Sequence, residues 1–532
     1  MAEPGAGRVW RAACPNCGAP VDFQSAAAPM AVCGYCRSTL VRDGETLRRI
    51  GQSAELFDDH SPLGLGVRGQ FAGESFTLLG RLQYAYLDDS GGRAAEGRWT
   101  TWHALFDNGR SATLSEDNGH YVLSWPQAQP DGALPELRGL VPGAQVVVLG
   151  RGWALASHVM ARVHAMQGEW PCVPQADRPF DIWELRNPQG EVLSIEASTQ
   201  PPQFDVGRAV RLADLKLSGL PHLDADRPRL KANSCACPSC GASLQPTLDT
   251  TQSIVCGSCK AVVDVSKGLG ADLAYFKQDN GLEPLIPLGR KGRLALGGAT
   301  FEWQVVGYQE RRSVPASAEE ESWFWREYLL YQRSEGFAFL VDAMDGWSLV
   351  QPVTGAPRSI GSKVTWLGTD YRKKEDAYAA ETTYVLGEFY WPVRKGQKSL
   401  NADYVGQGAQ ANQVLNREMA GKEVTWSAGH TLASDDVVKA FGIDALQRRA
   451  FQRDASVASS ASRVTVVVLV MFFLVFAILV VATSCDERCG SVRDAYGEYS
   501  QEYQQCRASS QSSGGGGYGG SYGGYTSGGS HK

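Results

Sequence analysis

Positive charge is in short supply in this 532-residue chain: 51 Lys and Arg stand against 57 Asp and Glu, for a net charge of −6 and a pI near 5.9. That balance excludes a general polyanion binder, whose affinity comes from Lys and Arg displacing counterions. Histidine is scarce too, at eight residues. There is no His-Glu-x-x-His motif, so the helix-borne zinc-protease arrangement is absent. The amino terminus lacks the charged and apolar regions of a secretory signal, so none is expected. Strongly periodic helical stretches are few; the clearest runs from Ser434 through Val437, Val438, Phe441, Ala445 and Leu446. Long apolar runs are missing with one exception, Val464–Ala482, which holds no charge over its 19 residues.

Cysteine is the residue type present in a pattern. Cys14, Cys17, Cys33 and Cys36 form two Cys-x-x-Cys pairs with 15 residues between them, and Cys237, Cys240, Cys256 and Cys259 repeat that spacing 223 residues on. Turn formers surround each pair: Pro-Asn or Pro-Ser inside the first, Gly-Tyr or Gly-Ser inside the second, with Gly18 and Gly241 following the first. Four thiolates on two tight turns suit tetrahedral sulfur coordination, so each quartet predicts a zinc ribbon holding one structural Zn2+. The first ribbon is only weakly basic, with six Arg against three acids over residues 8–50. Thiolate sites persist in a reducing compartment, which places residues 1 to about 460 in the cytosol.

The run 464–483 predicts one transmembrane helix, because about 20 apolar residues span the hydrocarbon core. Arg448, Arg449, Arg453 and Arg463 precede it and Asp486 and Glu487 follow, so the basic flank and the domains before it are expected inside and the tail outside. The expected location is therefore a bacterial inner membrane, crossed once. Cys485, Cys489 and Cys506 then lie in an oxidising space, where one intramolecular disulfide and one bond to a second copy are expected, making a homo-oligomer possible. From Ser509 the tail is Ser, Gly and Tyr and lacks the apolar residues for a core.

A tandem duplication organises the rest. Gly66 and Gly69 match Gly289 and Gly292; Trp99 and Trp102 match Trp325 and Tyr328. Gly143-x-x-Val146-x-x-Leu149-Gly150 matches Gly361-x-x-Val364-x-x-Leu367-Gly368, and Gly168-Glu169-Trp170 matches Gly387-Glu388-Phe389. Offsets drift by a few residues while the order is kept. Short β-branched and aromatic runs punctuated by Asn-Gly and Asp-Gly steps predict antiparallel strands. The expected fold is mainly β: two units in tandem, each a zinc ribbon plus an antiparallel β-sandwich or partly open barrel, then one transmembrane helix and a disordered tail. The boundaries read as ribbon 10–45, β domain 60–215, ribbon 233–267, β domain 282–433, juxtamembrane helix 434–453, span 464–483 and tail 484–532.

The run Trp325-Arg-Glu-Tyr328-Leu-Leu-Tyr331, with Gly336-Phe337, Leu340, Gly346-Trp347, Gly387-Glu388-Phe389-Tyr390-Trp391 and Leu415-x-x-Glu418, resembles the bacterial domain of unknown function 4178 family. The resemblance covers about 284–432 well and 62–213 in a more diverged form, where Trp102 replaces Tyr328 and the second motif reads Gly168-Glu169-Trp170-Pro171. It implies ribbon-bearing, often membrane-anchored bacterial proteins, with genes beside envelope-stress and polyamine-synthase-like neighbours. It implies no reaction.

Candidate chemistry is thin. Gly64-x-Gly66-x-x-Gly69 has the letters of a dinucleotide fingerprint but follows Ser61-Pro62 rather than a strand, and the second copy has Pro287 in place of Gly64, so it reads as a turn. Three acids recur, Glu169 with Glu388, Asp181 with Asp403 and Glu196 with Glu418, without a matched histidine or nucleophile. Recurrent acids in a β domain more often cap turns or pair with arginine than catalyse, so no catalytic or cofactor-binding residue is assigned. The expected function is a non-enzymatic, membrane-anchored cytoplasmic scaffold recruiting protein partners, in an envelope-stress setting. The alternatives are an enzyme or small-ligand sensor using the duplicated acids, and a membrane-tethered nucleic-acid binder acting through the ribbons. Nucleic acid is not expected as a partner.

Overall fold

The structure is a computed structural model that describes residues 10–453, apart from 26–27, 44–45, 54–60, 88–94, 118–119, 130–134, 174–177, 222–233, 249–250, 266–272, 279–280 and 318, and residues 489–510 apart from 498. Residues 1–456 form one compact unit and 457–532 another.

The first unit is mainly β and holds two rings of the same topology. In the first, β1 (Glu74–Leu87), β2 (Ala95–Phe106), β3 (Ser111–Asp117) and β4 (His120–Gln127) form an antiparallel meander, and β5 (Arg151–Trp170), β6 (Phe180–Arg186), β7 (Glu191–Glu196) and β8 (Gln203–Val210) form another. Pairing of β4 with β8 and of β1 with β5 closes the ring. The second ring repeats this with β9 (Ala299–Val314), β10 (Phe324–Gln332), β11 (Gly336–Ala343), β12 (Gly346–Val353), β13 (Tyr378–Phe389), β14 (Lys398–Gly406), β15 (Gln413–Ala420) and β16 (Glu423–Leu432). It closes through β12–β16 and β9–β13.

The sequence suggested a sandwich or a partly open barrel; the rings are closed. The reason lies in the long strands. β1, β5 and β9 are 14, 20 and 16 residues long and carry register shifts at Leu78/Gly80, Val163/Ala165 and Val305/Gly307. An extra residue bends a strand and lets it pair along both edges, so neither sheet edge stays open.

Period-two alternation sorts the side chains. In the first ring Trp102, Ala104 and Phe106 of β2, Leu114 of β3 and Leu123 of β4 build one core, while Trp183, Leu185, Leu193, Ile195 and Phe204 build a second. In the second ring Trp303, Tyr308, Tyr328, Leu340 and Trp347 pack with Val437 and Phe441 of α1 (Ser434–Phe441). The aromatic runs at Trp325, Tyr328 and Trp102 are therefore core, as such alternating aromatics usually are. α1 ends at Gly442 in the left-handed region, after which Arg448–Phe451 is a single 3₁₀ turn and Leu446 stands exposed. Phe451 stacks on Trp347 at 5.4 Å and accepts its indole N–H through the backbone oxygen. This segment thus completes the core of the second ring.

One expectation is overturned. No helix among the described residues, which are mainly β, is long and apolar enough to cross a membrane, where one was expected over 464–483. Residues 464–483 themselves lie outside the described residues. The tail expected to be disordered from 484 contains α2 (Gly490–Tyr496) and α3 (Gln501–Ser510), tied by a Cys489–Cys506 disulfide. Cys485 lies outside the described residues.

Candidate metal centres

Each cysteine pair sits on the same turn. The amides of Cys14, Cys33, Cys237 and Cys256 donate to the carbonyls of Ala19, Ser38, Ala242 and Ala261, at 2.8–2.9 Å. Gly18, Arg37, Gly241 and Lys260 donate back to those four cysteines' carbonyls. All four of these closing residues have positive φ, from 58° to 77°. Glycine suits the position; Arg37 and Lys260 hold it at a cost of about 1–2 kcal/mol each, which both copies accept at the same place.

The turns bring the thiols together. Sγ···Sγ separations are 3.6 Å for Cys14–Cys36, 3.7 Å for Cys17–Cys33, 3.7 Å for Cys237–Cys259 and 3.6 Å for Cys240–Cys256, and within each quartet all sulfurs lie inside 4.8 Å. A tetrahedron with a metal–sulfur bond of about 2.3 Å has edges of about 3.8 Å, so both quartets can hold a metal ion. The Asn16 side chain, then the Ser38 hydroxyl and amide, lower the Cys36 thiol to about 5. The Ala261 amide is the largest influence lowering its counterpart Cys259 to about 6. In the same quartets Cys17 and Cys240 are pushed up to about 12, the Ala19 and Ala242 amides lowering them and burial with the neighbouring thiols more than reversing this, so in each site one thiol leans toward the metal-binding thiolate while a neighbour holds its proton.

The acids singled out by duplication prove to be four different things. Glu169 and Glu388 are buried, and each faces the cysteine-bearing segment before its ring, the part expected to be a ribbon. The Glu169 carboxylate accepts the amides of Gln24 and Ser25, the latter at 2.8 Å. The Glu388 carboxylate accepts the amides of Thr247 (2.9 Å) and Leu248 (3.0 Å) and the hydroxyls of Thr247 and Thr251 (2.6 Å each). Both acids thus grip the segment between the two cysteine pairs of their own ribbon. Burial raises the Glu169 carboxyl and the two amides work against that.

The strand carrying each acid is seated by glycines. Gly168 and Gly387 have φ of 73° and 84°, and a Cβ on either would collide with the carbonyl oxygen of Leu79 or Val306 on the neighbouring strand. Opposite them sit Gly80 and Gly307, where a Cβ would strike the Glu169 or Glu388 carbonyl oxygen. Past this crossing β5 and β13 leave the ring and pair with ribbon strands instead, Glu169 with Ala31 and Glu388 with Ile254.

The other acids lie elsewhere. Asp181 pairs with Arg138 at 2.5 Å and His158 at 2.9 Å; burial raises its carboxyl, and His158 and Arg138 more than reverse this. Asp403 accepts from Tyr378 and Asn416, both at 2.7 Å. Glu196 accepts the Tyr84 hydroxyl at 3.1 Å, and Glu418 pairs with Arg311 at 2.9 Å. β1 and β7, like β9 and β15, are three strands apart round the ring, so both bonds tie non-neighbouring strands. Tyr84 stands opposite Trp99 and Arg311 opposite Trp325, which makes them equivalent positions. Arg311 and Tyr84 escaped sequence reasoning because the residues differ between copies; the repeated Gly80-x-x-x-Tyr84 and Gly307-x-x-x-Arg311 spacing was the available signal. The structure does not bring Glu388, Asp403 and Glu418 into one pocket: Glu388 is committed to the ribbon and the other two have their own partners. His103 is a satisfied core residue, 3.0 Å from both the Glu169 carbonyl oxygen and the Ser111 hydroxyl.

One comparison bears on this architecture. A protein-family model, domain of unknown function (DUF4178), matches residues 64–212 and 296–434, one match per ring. A crystal structure of a protein of unknown function from the DUF3598 family of Nostoc punctiforme PCC 73102 is similar at 8% identity, over 69% of this chain and 96% of its own, with a TM-score of 0.12, too low to bear on the fold. No curated protein matches. The two DUF4178 matches span more than half the chain and coincide with the two rings and their Gly-Glu ribbon clamps: this protein belongs to the DUF4178 family, in two tandem copies.

Proposed function

We propose that the chain is a non-enzymatic adaptor whose two rings, each stapled by a zinc ribbon, display duplicated hairpins to a protein partner. Zinc is the metal that best suits four thiolates with these sulfur separations. The observation that carries the reading is what the duplicated acids do: each is hydrogen-bonded or ion-paired within the protein, with the geometry of a structural clamp rather than of an acid and base around a substrate.

The docking element is the hairpin that the Gly-x-x-Val-x-x-Leu-Gly motif encodes in both copies. Val141 and Val147 in the first copy are each 69% exposed, and Ile360 and Leu367 in the second are 62% and 75% exposed. Single exposed apolar residues are ordinary on any protein. They do not fall at matched positions, since Val147 aligns with Thr365 and Leu367 with the core-packed Leu149; what the two diverged copies share is exposed apolar surface around one equivalent hairpin, and that favours a shared contact. Photocrosslinking from position 147 and from position 367 in living cells is expected to capture the same polypeptide, and Val147→Asp with Leu367→Asp to abolish capture from a third surface position. Different or no captured chains from the two hairpins would refute the reading.

A second reading, a small-ligand sensor, has in its favour only a shallow, half-open groove of about 460 Å³ lined by both copies, including His120, Tyr121 and Arg211 from the first and Glu335, Gln351 and Val353 from the second. Interdomain clefts of this size are common ligand sites. A metabolite that raises the unfolding temperature of the wild type but not of Gln351→Trp would favour it.

A further inference from the structure

We propose that Glu169 and Glu388 are positioning residues that set how tightly each ribbon holds its metal, and that Glu388 makes the second site the slower to release it. The proposal rests on the metal reading of the quartets and goes beyond it in assigning affinity to residues outside them. Neither acid touches a sulfur. Each instead fixes the segment that links one cysteine pair to the other, and a metal site whose two halves are already held together loses less chain freedom on binding.

The asymmetry comes from residue chemistry. Seven and eleven residues after the second cysteine, the second ribbon has Thr247 and Thr251, whose hydroxyls both reach the Glu388 carboxylate; the first has Gln24 and Ala28. Hydrogen bonds to an ionised group are about twice as strong as neutral ones, so two additional donors close the second loop more firmly. The ribbon strand lies against the same glutamate in the same register in each copy, Ala31 beside Glu169 and Ile254 beside Glu388. Hence the difference in donors acts on loops held in the same register; at the sulfurs the copies also differ, the Ser38 hydroxyl lying 3.2 Å from Cys36 where the second ribbon has Ala261.

The test uses the full chain loaded with zinc and challenged with excess chelator. Released zinc is followed with a chromogenic dye, and the cysteines uncovered at each time are mapped by alkylation and mass spectrometry. Release is expected in two phases, uncovering Cys14, Cys17, Cys33 and Cys36 first. Glu388→Gln should accelerate the slow phase about tenfold, the lower end of what outer-shell changes do to metal sites, and leave the fast phase alone; Glu169→Gln should accelerate only the fast one. Thr251→Ala keeps the carboxylate and the backbone donors and should accelerate the slow phase by about threefold, which guards against a general folding defect in Glu388→Gln. Release of the second quartet first, or a slow phase indifferent to both Glu388→Gln and Thr251→Ala, overturns the proposal while leaving the metal reading intact. A wild-type chain that binds no zinc overturns both.

Discussion

Replacing Arg311 should destabilise the second ring and leave the first largely unaffected. Its guanidinium is 7% exposed and sits 2.9 Å from Glu418 and 3.5 Å from Glu327, with the Ser399 hydroxyl accepting from it and the Trp325 ring 5.5 Å below. Burial opposes its charge, and Glu327 and Glu418 more than offset that. Arg311→Ala leaves two carboxylates without their cation; breaking a buried pair costs about 3–5 kcal/mol. Glu327 keeps the side-chain donors of Gln309 and Trp325, and Glu418 is 35% exposed, so the low end, about 3 kcal/mol, applies. At about 2–4 °C per kcal/mol for a domain near this size, unfolding should fall by about 6–12 °C. Hydrogen exchange resolved by mass spectrometry should localise the loss to β9, β10 and β15. Arg311→Tyr installs the first ring's own solution, Tyr84 on Glu196, and should recover more than half the loss. A shift below about 1 °C for Arg311→Ala, or Tyr no better than Ala, would refute the equivalence of the two ring ties.

Other outcomes follow from single sites. Gly387→Ala meets both a φ of 84° and the Val306 carbonyl, so it should cost about 3 kcal/mol or more, whereas Gly109→Ala, at φ 83° in open space, should cost about 1 kcal/mol in the same denaturant titration. Burial at the junction of the rings, then Glu423 and Glu184, push the Asp117 carboxyl up to about 7. Raised above its unfolded value, it contributes stability that is complete below about pH 4 and lost as pH rises through about 7. Asp117→Asn should therefore raise the unfolding temperature at pH 8 and leave it unchanged at pH 4; because Asp117 keeps contact with water, the gain is screened and small. Elemental analysis of the wild type should give two zinc per chain, and Cys256→Ser should lower this to one.

What the sequence made legible was whatever repeats as identity. The quartets are fixed by sulfur chemistry and turn geometry within 23 residues, so spacing alone located them. The Gly-Glu motif was equally visible, but its meaning was not: the amides it satisfies lie 144 and 145 residues before Glu169, and no local pattern marks a backbone donor as in need of a partner. Closure of the rings was hidden for a similar reason, since it depends on where β1 and β5 bulge, and a bulge leaves no reliable trace in a β-branched run. The helix at Ser434 was legible from its period; its end was not. Ala445 and Leu446 continue the pattern, yet Gly442 at φ 58° stops the helix, and the chain turns back to put Phe451 on Trp347.

The clamp also says where a folding unit ends. The family matches begin at 64 and 296, after the ribbons, yet the glutamate in each match bonds residues that precede it, 24–25 and 247–251. In the second copy Val255 and Val262 of the ribbon pack on Val306, Leu329, Val385 and Phe389 of the ring. A fragment cut at 296 would therefore uncover four large apolar side chains beside a carboxylate stripped of its donors. At about 1.5–3 kcal/mol for each apolar side chain returned to water, the loss is comparable with the whole stability of a typical domain. Residues 234–453 should accordingly purify as a soluble, cooperatively unfolding species, and 296–453 should aggregate or bind a hydrophobic dye. If 296–453 instead unfolds at the same temperature as 234–453, the ribbon is an appendage, and the glutamate clamp contributes nothing to the ring it is built into.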